Sequence, residues 1–227
     1  MGIFSAADLL VAGSGIAAWV YTVSALLPAS NASAALSAPW VAVALGVSTS
    51  HVLYAAVWYH PTAFRRMCEG GPLQPLGENA VAVFALLVAA AKGVQQLSVG
   101  LWAVQHVGGT GRLLDAMDST RWVSLGVLLA CGQMLNGAIY RAIGKDGVYY
   151  GFKLGRPVPW CHDFPFNVGF RHPQYVGGLL SQLGVLVLLT TTETMEAGLL
   201  PLVGWWTVLY GLTSWMEAVG DNDAKME

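Results

Sequence analysis

Residues 144–178 read GKDGVYYGFKLGRPVPWCHDFPFNVGFRHPQYVGG. The stretch is too polar to cross a membrane and too aromatic to be a plain solvated loop. It carries Lys145, Lys153, Arg156 and Arg171, two of the five histidines and seven glycines. On both sides the chain turns to long apolar runs. Over 227 residues, 55% are hydrophobic and 11% charged, and the mean hydropathy is +0.55. Soluble domains carry about 25% charged residues, so this chain lacks the polar side chains to cover a soluble surface. The composition predicts an all-α integral membrane bundle, with residues 144–178 mounted on it as the active, non-spanning segment. Unbroken apolar runs without period-2 alternation argue against a β-barrel. A net charge of −2 gives no sign of a nucleic-acid partner.

Six apolar runs surround that segment, at 7–28, 38–60, 80–106, 121–143, 175–192 and 198–217. Each is near the roughly 20 residues that a helix needs to span the hydrocarbon core, the fifth being short. The first lacks a basic leader and is read as a retained membrane helix rather than a signal peptide. With six spans, the termini share a side with loops 61–79 and 144–174. That side carries Arg65, Arg66, Arg141, Lys145, Lys153, Arg156, Arg171 and Lys225, against Arg112 and Arg121 opposite. The excess of cations predicts that this side faces the cytosol. The sequon at Asn31 is then lumenal. Trp40, Trp58, Tyr59, Trp102, Trp122 and Trp215 sit near run ends, as in an interfacial aromatic belt. Loop 61–79, with Gly70, Gly71, Pro72 and Pro75, reads as an irregular connector. Cys68, Cys131 and Cys161 lack metal-ligand spacing and are expected to be free thiols, with no metal bound.

Polar residues inside apolar runs are costly and therefore informative. Lys92 lies mid-run, followed by Gln95, Gln96 and Ser98. It either ties helices together or faces a polar cavity or lipid headgroup. His51 faces the same choice, and its Ser/Thr neighbours favour packing. Gln133, Asn136 and Tyr140 share one helical face. Trp206, Tyr210, Thr213 and Glu217 share another. His172, Tyr175 and Gln182 align if a helix starts at Pro173, a favoured first position. Three stripes directed at one segment point to a ligand cavity.

Within that segment, Gly144, Gly147, Gly151 and Gly155 fit either a small-residue helix face or a close backbone approach to a ligand. No strand precedes them, which excludes a dinucleotide-binding Rossmann site. Pro157, Pro159 and Pro165 hold their preceding residues extended, giving a fixed non-helical crossing that contains Cys161, His162 and Asp163. An imidazole beside a carboxylate is one general-base pattern, and an adjacent pair in a loop also arises by chance.

The segment from GQMLNGAIY to HPQYVGG resembles the core of the phospholipid N-methyltransferases, most closely those that act on phosphatidyl-N-methylethanolamine. Four features carry the resemblance: GQxLN leading to a Tyr, YYGxxxG, PW followed by FPF, and PQYVG. WMEAVGD, with Glu217, and KGVQQLS, with Lys92, resemble the family as well, so the likeness spans about 40–225. Residues 1–37 then form an extra N-terminal helix and lumenal loop, and 38–227 the methyltransferase core. The resemblance implies an S-adenosylmethionine pocket in an endoplasmic-reticulum membrane enzyme that acts on phospholipid. Gly144 and Gly147 would meet the cofactor, His172 and Tyr175 would wall it, and Glu217 would take its ammonium group. Tyr149, Tyr150 and Tyr175 can neighbour the sulfonium, and Arg171 its carboxylate. Arg156 would take the lipid phosphate, with Lys92, Gln133, Asn136 and Tyr140 completing the substrate side. His162, Asp163 or Glu217 would accept the amine proton. Isoprenylcysteine carboxyl methyltransferases share the RHPQYVG-type ending and give the alternative reading. Membrane sterol reductases and a non-catalytic lipid-binding protein are the others.

Overall fold

The computed structural model describes residues 4–159 and 161–223. Trp160 of the PW motif and Lys225 of the charge tally lie outside the described residues. The described chain is helical, with no strand. Its helices are α1 (Ala6–Thr22), α2 (Ala38–Tyr59), α3 (Pro61–Gly70), α4 (Ala80–Val107), α5 (Thr110–Asp115), α6 (Ser119–Val148), α7 (Pro173–Leu189), α8 (Thr192–Glu196) and α9 (Leu199–Asp223). Each of the six apolar runs carries a helix of 17 to 30 residues, so the expected all-α bundle of apolar helices is what forms, although fewer than six of them are long and apolar enough to count as spans among the described residues.

Helix starts follow local chemistry. Ser37, Asn79 and Asp118 each accept a backbone N–H of the first turn of α2, α4 and α6, the usual work of an N-cap oxygen. Gly108 ends α4 at φ +81, a left-handed position that suits glycine. Among the described residues, α2, α4 and α6 are the helices long and apolar enough to cross a membrane by length and composition. Helices α1 and α7 are apolar but have 17 residues each, about 25 Å of rise against a hydrocarbon core of about 30 Å. The first run is shorter than its sequence suggests, because Ser24–Ala29 tightens into a 3₁₀ turn around Pro28.

Helix α7 is buried on nearly all sides, as expected of a helix apolar all round. It packs most extensively on α6 and also touches α1 and α9. The larger hydrophobic core is built around it, joining Trp19, Val47, Trp102, Leu183, Leu199 and Trp206. A second core holds Tyr54, Trp58, Phe64, Phe84 and Tyr150. It lies beneath the segment that follows α6.

Three expectations change. The connector 61–79 is not wholly irregular: Pro61–Gly70 is a helix that buries Phe64 and Cys68 one turn apart, and the Gly/Pro cluster only ends it. Of the aromatic belt, Tyr59, Trp122 and Trp215 are exposed, but Trp40, Trp58 and Trp102 are buried in the cores. Trp40 Nε1 donates to the Gly198 carbonyl at 3.0 Å. The glycine series 144–155 is not a helix face. Gly144 at φ +66 breaks α6, and residues 149–155 form turns. The three cysteines are free.

Arg121, one of the two cations on the sparse side, is buried. Its guanidinium donates to Ala116 O at 2.7 Å, to Val187 O at 2.6 Å and to Thr190 O. It thereby collects two carbonyls left open at the end of α7 and one at the end of α5. Arg121→Lys replaces a planar fork by one ammonium that cannot serve all three. It is expected to cost about 2 kcal/mol, read as a lower midpoint of thermal unfolding in detergent. An unchanged midpoint would remove Arg121 from the account of how α7 ends.

Candidate functional site

Two cavities meet at the end of the bundle where α6 breaks. The larger is about 360 Å³ and lies among α2, α4, α6, α7 and α9, within the usual size range of small-molecule sites. Its walls include His51, Lys92, Gln96, Gln133, Asn136, Tyr140, Tyr149, Gln182 and Tyr210. The smaller is about 140 Å³, bounded by Trp58, Gly147, Tyr150, Phe152, Arg171, His172 and Glu217. Ile139, Val148, Gln174 and Tyr175 line both, so one side chain thick of protein separates them.

The three polar stripes converge in part: Trp206 and Thr213 line neither cavity, and His172 and Glu217 line only the smaller. Gln133, Asn136 and Tyr140 on α6, Tyr175 and Gln182 on α7, and Tyr210 on α9 all face the larger cavity. Gln96 donates to Gln182 at 2.8 Å and Gln133 to Ser181 at 3.0 Å. Lys92 Nζ donates to the Tyr210 hydroxyl at 3.3 Å. His51 belongs to this cavity rather than to packing alone. The Thr213 hydroxyl lies 3.0 Å from His51 Nδ1 and 2.8 Å from Leu209 O. The buried His51 Nε2 has no hydrogen-bond partner among the described residues.

The smaller cavity is organised by Glu217. The hydroxyls of Tyr150 and Tyr175 both donate to Glu217 Oε1. Tyr150 reaches it from a left-handed backbone at φ +55, rare for a bulky residue and a mark of a site held by its surroundings. Those surroundings are the Phe84 ring stacked at 5.5 Å and the edges of Tyr54 and Trp58. Burial, and then the Glu217 carboxylate, push the Tyr150 phenol well above its usual range, so it stays a donor. Lys153 lies 3.9 Å from the centre of the Trp58 ring, a cation–π contact.

The other expected site residues fall into two groups. Gly147, Tyr149, Tyr150, Arg171, His172, Tyr175 and Glu217 line one cavity or both. Gly144 does not; it bends α6 so that Gly147 can. Arg156 pairs with Asp146 at 3.2 Å and lies outside both cavities. His162 and Asp163 are exposed and line neither. Asp163 instead accepts the amides of Phe166 and Asn167 through its carbonyl, at 2.8 and 3.2 Å. Sequence reasoning missed Tyr54 and Gln174, which meet at 3.4 Å on the wall of the larger cavity. Tyr54 stands one turn after His51, and that spacing was the available signal.

A third, almost wholly apolar groove of about 230 Å³ runs between α1, α7 and α9. Leu9, Ala12, Ile16, Val176, Leu179 and Thr207 form its sides. His172 and Tyr175 join it to the smaller cavity, and Tyr175 and Tyr210 to the larger.

Residues 121–219 match the family described as phospholipid methyltransferase. The chain is 48% identical over 88 residues to a phosphatidyl-N-methylethanolamine N-methyltransferase of Arabidopsis thaliana, an alignment covering 37% of this chain and 53% of the relative. The chain thus spans about half the length of the curated relative it matches. No solved structure matches. The matched interval is narrower than the 40–225 of the resemblance. It holds α6, α7 and Glu217 but not α1, His51 or Lys92.

Proposed function

We infer that this chain, whose residues 121–219 match the family described as phospholipid methyltransferase, uses S-adenosylmethionine to N-methylate the amine of mono- or dimethylated phosphatidylethanolamine, toward phosphatidylcholine. The observation that carries the reading is the Glu217 carboxylate, held by two tyrosine hydroxyls in an aromatic cavity that shares walls with a second, cation-bearing one.

The two cavities have complementary charge. The smaller offers Glu217 and the rings of Trp58, Tyr150, Phe152 and Tyr175, a setting that favours cations. It fits a ligand bearing an ammonium and a sulfonium, with Arg171 at its edge for a carboxylate. The larger offers Lys92, Gln96, Gln133 and Asn136 as donors. It fits a zwitterionic headgroup with a phosphate. When bound, S-adenosylmethionine supplies an electrophilic methyl on sulfur. The chain's own work is to hold an amine in line with that methyl and keep water away, which can account for most of the acceleration of such a displacement. Tyr175 stands on the wall between the two ligands. The apolar groove between α1, α7 and α9 gives a lipid's acyl chain a sideways path from the bilayer.

The cation-rich end of the bundle, with Arg65, Arg66, Lys145 and Lys153, is taken to face the cytosol, from which the donor arrives. The membrane is taken to be that of the endoplasmic reticulum. The test uses purified chain in lipid, labelled S-adenosylmethionine, and a panel of phosphatidylethanolamine, its mono- and dimethyl forms, and a prenylated cysteine. Label in the methylated ethanolamine lipids is the expected result. Label in the prenylcysteine alone, or in nothing, would overturn the reading.

A further inference from the structure

Helix α1 lies outside the matched residues, yet one of its side chains bonds the backbone of two residues that wall the smaller cavity. Asp8, in its first turn, is 1% exposed. Asp8 Oδ2 accepts the Ser5 amide at 2.9 Å and the Ser5 hydroxyl at 2.7 Å, and the Asp8 amide returns a bond to Ser5 Oγ at 3.1 Å. This is a capping box that starts α1. The same carboxylate also reaches across to the other end of the sequence. Oδ2 accepts the Arg171 amide at 3.2 Å and Oδ1 the His172 amide at 3.1 Å. Phe4 adds an edge contact to the His172 ring, centroids 5.7 Å apart.

Arg171 and His172 are the last two residues before α7, and with Pro173 they wall the smaller cavity. No side chain of the α7 cap residue itself serves that helix start. A buried carboxylate is costly unless fully hydrogen-bonded, and half of the donors seen here come from 171 and 172. Its burial in α1 is therefore coupled to those two residues being docked. A carboxylate beside a helix start is also favoured by the helix dipole. One turn further on, α7 presents Tyr175, which donates to Glu217.

We propose that Asp8 is a positioning residue: α1 latches the Arg171–His172 wall, and through it the start of α7 and Tyr175, in the geometry that the smaller cavity needs. This rests on reading that cavity as the methyl-donor site.

The test uses the full chain in detergent, with S-adenosylhomocysteine binding measured by calorimetry and amide hydrogen exchange followed over 165–175. Asp8→Ala is expected to weaken binding about tenfold, the scale of a lost charged cap, and to speed exchange over 165–175 while α2 and α4 stay protected. Asp8→Asn keeps an acceptor oxygen and is expected to recover most of both. Ser5→Ala opens the capping box but leaves the two long-range bonds, and is expected to bind as the unaltered chain does. The proposal is overturned if Asp8→Ala binds normally, if exchange rises equally in every helix, or if Asp8→Asn does no better than alanine. If Asp8→Ala does not fold, the asparagine and Ser5 variants decide: loss of binding in Ser5→Ala, or normal exchange over 165–175 with weak binding in Asp8→Asn, overturns it. If the unaltered chain binds no S-adenosylhomocysteine, the functional reading fails while the exchange arm still decides whether the latch exists.

Discussion

Glu217→Gln is expected to lower kcat/KM for methyl transfer on the order of 10²–10³-fold while leaving the chain folded. The reason is charge. Glutamine keeps an oxygen to accept the Tyr150 and Tyr175 hydroxyls that now meet Glu217 Oε1, so the buried phenols stay satisfied. What is lost is the negative charge beside the rings that line the smaller cavity. Removing one partner of the charge pair that Glu217 is proposed to form with the ammonium of the methyl donor costs about 2–5 kcal/mol, and about 1.4 kcal/mol is a factor of ten. Glu217→Ala should lose at least as much activity. It also leaves two buried hydroxyls without their acceptor, at about 1–3 kcal/mol each in stability. The pair of variants therefore separates the site from the scaffold. Transfer assays on monodisperse protein, with S-adenosylhomocysteine affinity measured alongside, give the answer. A glutamine variant within twofold of the unaltered rate would take Glu217 out of the site.

Much of the architecture was legible because the strongest sequence signals were physical necessities. Six apolar runs became six helices, since backbone in lipid is satisfied only in helices or closed barrels and the runs lack the period-2 alternation of a barrel. The end of the fourth apolar run at residue 143 was readable from the change in composition, and the break falls there because Gly144 adopts φ +66, which few other residues would tolerate. The stripes on α6, α7 and α9 were legible because helical spacing fixes which side chains share a face. What the sequence left hidden lies where neighbours in space are remote in sequence, or where neighbours in sequence point apart. His162 and Asp163 look like a catalytic pair on paper, yet both are exposed. Arg156 looked like a phosphate ligand, but Asp146, ten residues earlier, is folded back onto it. Asp8 could be recognised as the second half of a capping box in SAAD. Nothing local says that it also meets residues 163 and 164 positions further on. The short helix α3 was obscured by the glycines and prolines that terminate it, although Phe64 and Cys68 one turn apart carried the amphipathic signal.

Gly132→Ala is expected to cost about 1–3 kcal/mol in stability, the range for forcing an extra methyl into a packed interior, and to lower methyl transfer by about 10²-fold. The two effects have one origin. Helices α6 and α7 cross at Gly132 and Gly177 with almost no room between their backbones. A Cβ at Gly132 would lie 2.6 Å from Gly177 O and 2.8 Å from Ser181 N; one at Gly177 would lie 2.9 Å from both Gly132 O and Asn136 Oδ1. The obstructing atoms are mostly backbone or hydrogen-bonded side chain, so the helices must part to admit the methyl. Close approach of this kind is how helices associate where lipid competes for every apolar face. Here it also sets the spacing of Gln133 and Asn136 on α6 against Gln182 on α7, three walls of the larger cavity. Displacement of about 1 Å in such positioning groups is enough for the rate loss given above. Gly137 and Gly126 supply the control. They sit on the same helix with nothing within 4 Å of an added Cβ, and alanine there should be neutral or stabilising by up to about 1 kcal/mol. Thermal unfolding and transfer rates across the four alanine variants would test this. If Gly132→Ala and Gly177→Ala behave like Gly137→Ala and Gly126→Ala, the crossing is not what holds the two faces of the cavity in register.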